Sequence, residues 1–346
     1  MRKIILSLLL PLFCLGINAK TVIHVGYLFN TDNGSVEPEM SIIIENERIS
    51  DVLEGYVSLN PDDNYIDLTG YYVLPGLIDM HVHLTNQSSN RAYLERVTLN
   101  AADYAIRATK NAEKTLMAGF TTVRNLGDSD TITISLRNAI NNGIVIGPRI
   151  FSSGKTISTT GGHGDSTNSL NQRLTSDLGP KDGVMNGELD ALKSVRYRYK
   201  ENADLIKITA TGGVLSNAKD GQNPQMTLNE IKAVVDAARD YGFRVAAHAH
   251  GSEGIKRATL AGVDSIEHGT LMDKEGARLM RENGTYYVPT LLAGKWVADK
   301  ALIKDYYPPF VEKKALEIGP KLQSTFSMAY QSGVKIAFGT DSGVSP

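Results

Sequence analysis

Residues 77–84 read LIDMHVHL, with His81 and His83 one residue apart inside an apolar run. On an extended strand, residues two apart project to the same side, so both imidazoles can face one ion. A lone His-x-His is weak evidence for a metal, because histidines also occur at surfaces and as satisfied core residues. The weight comes from repetition. His248 and His250 lie in RVAAHAHG and His268 in SIEHGT, so five of the seven histidines fall at the ends of three strand-like runs. Lys207 in LIKITATGG and Asp341 in FGTDSG add an amine and a carboxylate to two further runs of the same kind. Imidazoles and carboxylates brought together in this way are ligands for divalent metals.

The elements that must position these groups follow a repeated pattern. After residue 100, short apolar runs recur, most of them entered through a glycine: AGFTTVRNLG, YGFRVAAHAHG, AGVDSIEHGT, NGTYYVPTL and SGVKIAFGTDSG. Gly119, Gly242, Gly262, Gly284 and Gly333 are expected as left-handed caps that end a helix just before a strand. Leu228 to Arg239 has helical period, with Ile231, Val234, Val235 and Ala238 on one face. Strands alternating with helices imply crossovers and a parallel sheet. Eight strand candidates, from VLPGLIDMHVHL to KIAFGTDSG, predict an α/β fold of the (β/α)8 TIM-barrel type, whose active site gathers at the C-terminal strand ends. The segment 20–72 reads differently, as strand-like runs separated by polar turns, and is expected to form a small β-domain ahead of a barrel over 73–346.

Composition narrows the chemistry. The chain has 346 residues and a net charge of −2, with no long basic run to follow a phosphate backbone, so nucleic acid is not an expected partner. Arg2 and Lys3 precede an apolar stretch ending near Ile17, followed by Asn18 and Ala19, which is the layout of a signal peptide over 1–19 and predicts export. Cys14, the sole cysteine, lies inside it. A mature chain without cysteine must hold metal with His, Asp, Glu or Lys.

LPGLIDMHVHL, AGFTTVRNLG, IKITATGGVLS, RVAAHAHGSEGIKRATLAGVDSIEHGT and FGTDSG, in this order, resemble the amidohydrolase superfamily, and within it the imidazolonepropionase-like and Xaa-Pro dipeptidase-like enzymes. The resemblance runs from residue 74 to the end. It implies a distorted barrel with a small β-sandwich contributed by both chain ends. It also implies two divalent metal ions, zinc being favoured. His81 and His83 would ligate one, His248 and His268 the other, with Lys207 bridging them as a CO2-derived carbamate and Asp341 binding the first metal and handling protons. A neutral amine is needed to add CO2, and the apolar neighbours Leu205, Ile206 and Ile208 favour that form. His163 in the glycine-rich TTGGHG and His250 are expected to recognise a substrate carboxylate, and His24 to be structural.

The implied reaction is hydrolysis of an amide bond by a metal-bridging hydroxide, with an exported Xaa-Pro or Xaa-Arg/Lys dipeptidase as the leading activity and a small peptide or amide as substrate. Imidazolonepropionase, deaminase and lactonase activities are the alternatives. Imidazolonepropionase fits less well, because Lys207 and the signal peptide both argue against it. The family pattern continues beyond Pro346 through an eighth helix and further sandwich strands, so an inactive truncated metal-binding fragment is a second reading. Homo-oligomerisation is left open, as is the course of loops 158–186 and 291–310.

Overall fold

The computed structural model describes residues 19–216, 219 and 221–345. The predicted signal segment, apart from Ala19 and including Cys14, lies outside the described residues. The chain divides into two compact units, one ending at Pro75 and the other beginning at Gly76. None of the described helices is long and apolar enough to cross a membrane.

The first unit is a four-stranded sheet. β1 (Thr21–Phe29) pairs antiparallel with β2 (Val36–Glu45), β2 pairs antiparallel with β3 (Arg48–Glu54), and β4 (Asn64–Val73) joins β1 in parallel. Its core is small: Val25, Met40 and Ile42, with Ile23, Leu28, Ile44 and Val73 packed around them. His24 stacks on Tyr56 at 4.8 Å, meets Tyr65 edge-on at 5.0 Å, and shares a 3.1 Å hydrogen bond with the Val57 carbonyl. Its imidazole is thus occupied in holding this sheet.

The second unit is α/β, and its named sheets are all parallel. β5 (Leu77–Val82), β6 (Phe120–Asn125) and β7 (Arg149–Ser152) form one sheet. The two-residue strands β8 (Ser158–Thr159) and β9 (Val184–Met185) pair with each other. β10 (Ile206–Thr209), β11 (Val245–Gly251), β12 (Ser265–Leu271) and β13 (Tyr286–Val288) form the largest. Parallel bridges at Tyr287/Ile336 and Val82/Ser342 carry the pairing from one of the larger sheets to the other through residues 336–342, and a bridge at Ile157/Ile208 joins β10 to the segment entering β8.

The residues around KIAFGTDSG, expected as an eighth strand, form these single bridges instead of a ladder. Their hydrogen bonds alternate between neighbours: Ala337 N–H donates to the Tyr287 carbonyl, while the Phe338 carbonyl accepts from Met80 N–H. Asp341 then turns into a left-handed conformation at φ 57°, which ends the extended run.

Helices link the strands. α1 (Ala92–Thr98) and α2 (Ala101–Met117) follow β5, α3 (Ile132–Asn141) follows β6, and α4 (Glu188–Lys200) precedes β10. α5 (Leu228–Asp240), α6 (Ser252–Ala261) and α7 (Lys274–Asn283) follow β10, β11 and β12 in turn. α8 (Leu291–Ala301), α9 (Pro309–Ile318) and α10 (Leu322–Gln331) follow β13, so the segment expected as a loop at 291–310 is largely helical. All five glycines read as caps have φ between 69° and 93°, a region that costs a residue with a Cβ about 1 kcal/mol or more.

Strand alternation decides which side chains meet. Val245, Ala247 and Ala249 of β11 join the core that includes Ile231, Val234 and Val235 of α5. Each fully buried aliphatic side chain there contributes about 1.5–3 kcal/mol. The intervening Ala246, His248 and His250 face the other way. Ala246 packs with Leu126 and Leu205 as a small apolar floor, above which the polar residues gather.

Candidate metal centre

His81 on β5 and His83, one residue past its end, face inward, whereas Val82 between them packs into the core under α2 and α3. Their Nε2 atoms lie 3.5 and 3.3 Å from the same oxygen, Asp341 Oδ1. One ligand atom from each of the three residues falls within 4.8 Å of the others. Ligand atoms bonded at 2.0–2.1 Å to a tetrahedral zinc are about 3.3 Å apart, so these spacings fit a shared ion. Asp341 Oδ1 is buried and has no hydrogen-bond partner. A buried carboxylate oxygen left unpaired is costly, and a cation between it and the two imidazoles removes that cost. Burial by itself would raise the Asp341 carboxyl; His81 and His83 outweigh it and hold the group below the usual carboxylate value.

The remaining histidines close around this cluster. In register, Thr209 of β10 lies beside His248 of β11, and His248 beside Glu267 of β12, so all three point inward. Simple alternation would send His268, next to Glu267, outward. Instead a register shift after Ala249 and a left-handed φ of 69° at His268 bring it to the same side. Its ring centre is 5.0 Å from His81 and 4.7 Å from His248. His250 stacks on His268 at 5.1 Å, and His163 stacks on His248 at 4.2 Å. The six histidines read from the sequence as site residues are therefore contiguous, and the structure adds no seventh.

Five of the six rings are each oriented by one hydrogen bond. His81 Nδ1 donates to Glu267 Oε2 at 2.8 Å and His83 Nδ1 to the Gly127 carbonyl at 3.4 Å. His248 Nε2 donates to the Gly212 carbonyl at 3.0 Å. His250 Nδ1 pairs with Thr270 Oγ1 and His268 Nδ1 with Thr290 Oγ1, both at 2.8 Å. In every case the second ring nitrogen is left to a ligand. His163 Nδ1 is buried without a partner, while its backbone N–H is fixed by Gln225 Oε1 at 2.7 Å.

Lys207 is 4% exposed, and among the described residues no hydrogen bond or ion pair reaches its Nζ. Burial pulls its ammonium down to about 8, against opposing pulls from Glu267 and Asp341. Burial likewise lowers His81 and His250 to about 4 and His163 to about 3. These three imidazoles are neutral near pH 7, the form that binds metal.

Two buried charges that the motif reading passed over complete the site. Glu267 is fully buried and Arg124 nearly so, and Arg124 Nη2 donates to Glu267 Oε1 at 2.7 Å. Burial would raise Glu267, but Arg124 and His81 hold it at about 2. Both residues were visible in the sequence as lone charges inside apolar strand motifs, FTTVRNLG and SIEHGT. A charge in a buried strand requires a partner. Asp79, also buried, accepts from Thr340 Oγ1 at 2.5 Å and from His81 N–H at 3.0 Å, tying β5 to the segment that carries Asp341.

Comparison with known proteins agrees with this geometry. The amidohydrolase family profile matches residues 72–346. The ochratoxinase of Aspergillus niger is 27% identical over 93% of this chain and 68% of its own length. Among solved structures, a Xaa-Pro dipeptidase with methionine bound in its active site is 52% identical, with a TM-score of 0.93 over 95% of this chain and 80% of that one. A prolidase complexed with N-methylphosphonate-L-proline is 34% identical, with a TM-score of 0.85 over 94% of this chain and 79% of that one.

Proposed function

Because the chain belongs to the amidohydrolase family and is thereby a metal-dependent hydrolase of amide bonds, we propose that it is a binuclear zinc dipeptidase, with Xaa-Pro dipeptides as its first substrate class. The observation that carries the metal reading is Asp341 Oδ1, buried, unpaired and flanked by the Nε2 atoms of His81 and His83. The dipeptide reading is supported by the likeness to a Xaa-Pro dipeptidase and a prolidase. The parallel strands and the bridges between the two larger sheets support a closed, distorted (β/α)8 barrel.

In this proposal His81, His83 and Asp341 hold one ion and His248 and His268 the other. Lys207, whose amine is partly neutral near pH 8, bridges them as its carbamate. Bound divalent ions supply Lewis acidity at the scissile carbonyl and a water acidified to near-neutral pKa. Asp341 takes the proton released on attack and returns it to the leaving amine. His163 and His250, at the edge of the histidine cluster, orient the substrate's carboxylate end. Export through the signal-like segment is part of the same proposal, and mass spectrometry of the secreted protein's N-terminus tests it.

The deciding experiment purifies the protein with zinc and bicarbonate, then measures metal per protomer and hydrolysis across a dipeptide panel. The expected result is about two zinc ions with Xaa-Pro turnover, both lost in Lys207→Ala. Absence of tight metal binding overturns the site assignment, and metal without turnover on any dipeptide overturns the substrate class.

A further inference from the structure

We propose that Glu267, clamped by Arg124, sets the imidazole tautomer of His81 and through it the zinc affinity of the His81/His83/Asp341 cluster. This inference rests on the metal reading given above. Glu267 is a positioning residue in this role, since it acts through His81.

The geometry assigns every donor. Glu267 Oε1 accepts from Arg124 Nη2 at 2.7 Å and from Ser265 Oγ at 2.5 Å. The other oxygen, Oε2, accepts from His81 Nδ1 at 2.8 Å. A carboxylate has no hydrogen to give, so the shared hydrogen belongs to His81 Nδ1. Nε2 then presents its lone pair towards Asp341 Oδ1, 3.5 Å away. Water has no access to substitute for either partner, because His81 is 1% exposed and Glu267 is 0% exposed. Arg124 is itself anchored beside the same strand by a 2.6 Å bond from its Nε to the Met80 carbonyl.

Replacing the carboxylate by its isosteric amide gives a sharp consequence. A guanidinium only donates, so in Glu267→Gln the single amide oxygen must stay at the Arg124 and Ser265 end. The amide NH2 then faces His81 Nδ1, which can only accept from it. The imidazole hydrogen moves to Nε2 and points into the cluster, where it blocks the lone pair a metal requires. None of the other site histidines depends on a carboxylate for its orientation, so the effect is confined to this half of the site.

The test uses the full chain and zinc alone, in competition with a chromophoric chelator, together with NMR of the metal-free protein labelled with 15N at histidine. Glu267→Gln is expected to bind zinc 10- to 100-fold more weakly, the usual scale for loss of a carboxylate behind a ligating histidine. Ser265→Ala, which leaves the His81 bond intact, is expected to stay within about threefold. The ring nitrogens of His81 should report Nδ1–H in the wild type and Nε2–H in Glu267→Gln. Unchanged zinc affinity in Glu267→Gln, beside a wild type that binds zinc, overturns this inference alone. A wild type that binds no zinc overturns the metal reading and this inference with it. A wild-type His81 carrying Nε2–H in the metal-free protein also overturns it, whether or not Glu267→Gln folds.

Discussion

The two sides of the histidine cluster are supported in different ways. His81, on β5, leans on a carboxylate that an arginine holds in place. His248, His250 and His268, on β11 and β12, lean on a carbonyl and two threonine hydroxyls, all neutral. The second side packs three imidazoles with ring centres within 5.1 Å of one another, while Lys207 disfavours the cationic forms on both sides. Burial, followed by the neighbouring imidazoles, pushes His248 and His268 well below the usual histidine value. Charge is concentrated where Asp341 can bind an ion and withheld where like groups crowd. Water is excluded from both; the contrast is between a ring held by a charged partner and rings held by neutral ones.

Removing the charge on the first side should have the largest effect. Asp341→Asn keeps the shape of the side chain and deletes its charge and basicity, so kcat/KM on a Xaa-Pro dipeptide should fall on the order of 10³-fold, with less zinc retained per protomer. Near-normal turnover would remove Asp341 from both of its roles and leave the comparison without its charged pole.

Acidification of the metal-free protein probes both sides together. His81 and His250 titrate at about 4 in the folded chain and near 6.5 when unfolded, so between those values the unfolded state binds more protons. Stability is therefore complete above pH 6.5 and lost as pH falls towards 4, on the order of 1 kcal/mol per pH unit for each group. Denaturant titrations of metal-free protein at pH 7, 6 and 5 measure this slope. A flat profile would mean that these rings take up protons in the native state without cost.

The smallest effect belongs to a neutral partner. Thr290→Val removes the hydroxyl behind His268, and a neutral hydrogen bond is worth about 0.5–1.5 kcal/mol, so zinc affinity should weaken about 2- to 10-fold. An effect larger than that of Glu267→Gln in the same chelator competition would reverse the ranking of the two sides.

Much of this was legible in the sequence because two periodicities coincided. Alternation on β11 separates Val245, Ala247 and Ala249 from Ala246, His248 and His250, and the helical period of α5 marks the face that covers them. Five of the six clustered histidines could be read from strand ends, and His163 from the glycine-rich loop TTGGHG. What alternation could not foresee is the inward turn of His268, since that depends on a left-handed residue and a register shift and not on side-chain pattern. Nor could it pair Arg124 with Glu267, because the partners of a buried charge are set by which strands become neighbours in space. The helical content of 291–310 was hidden for a different reason. α8 packs through an aromatic and aliphatic cluster of its own, with Trp296, Tyr306 and Tyr307, and does not present a clean amphipathic stripe.

The Arg124–Glu267 pair also bears on how the second unit is assembled. The two residues are 143 positions apart, so one leaves the ribosome well before the other. Until Glu267 arrives, Arg124 has no countercharge within the interior and is better left hydrated, since an unpaired buried charge costs several kcal/mol. Strands β5 to β7 are thus discouraged from drying their inner face early, and the late strand β12 supplies the countercharge that lets that face be buried. In hydrogen-exchange terms, amides of β6 and β12 should gain protection in the same kinetic phase during refolding, despite their separation along the chain.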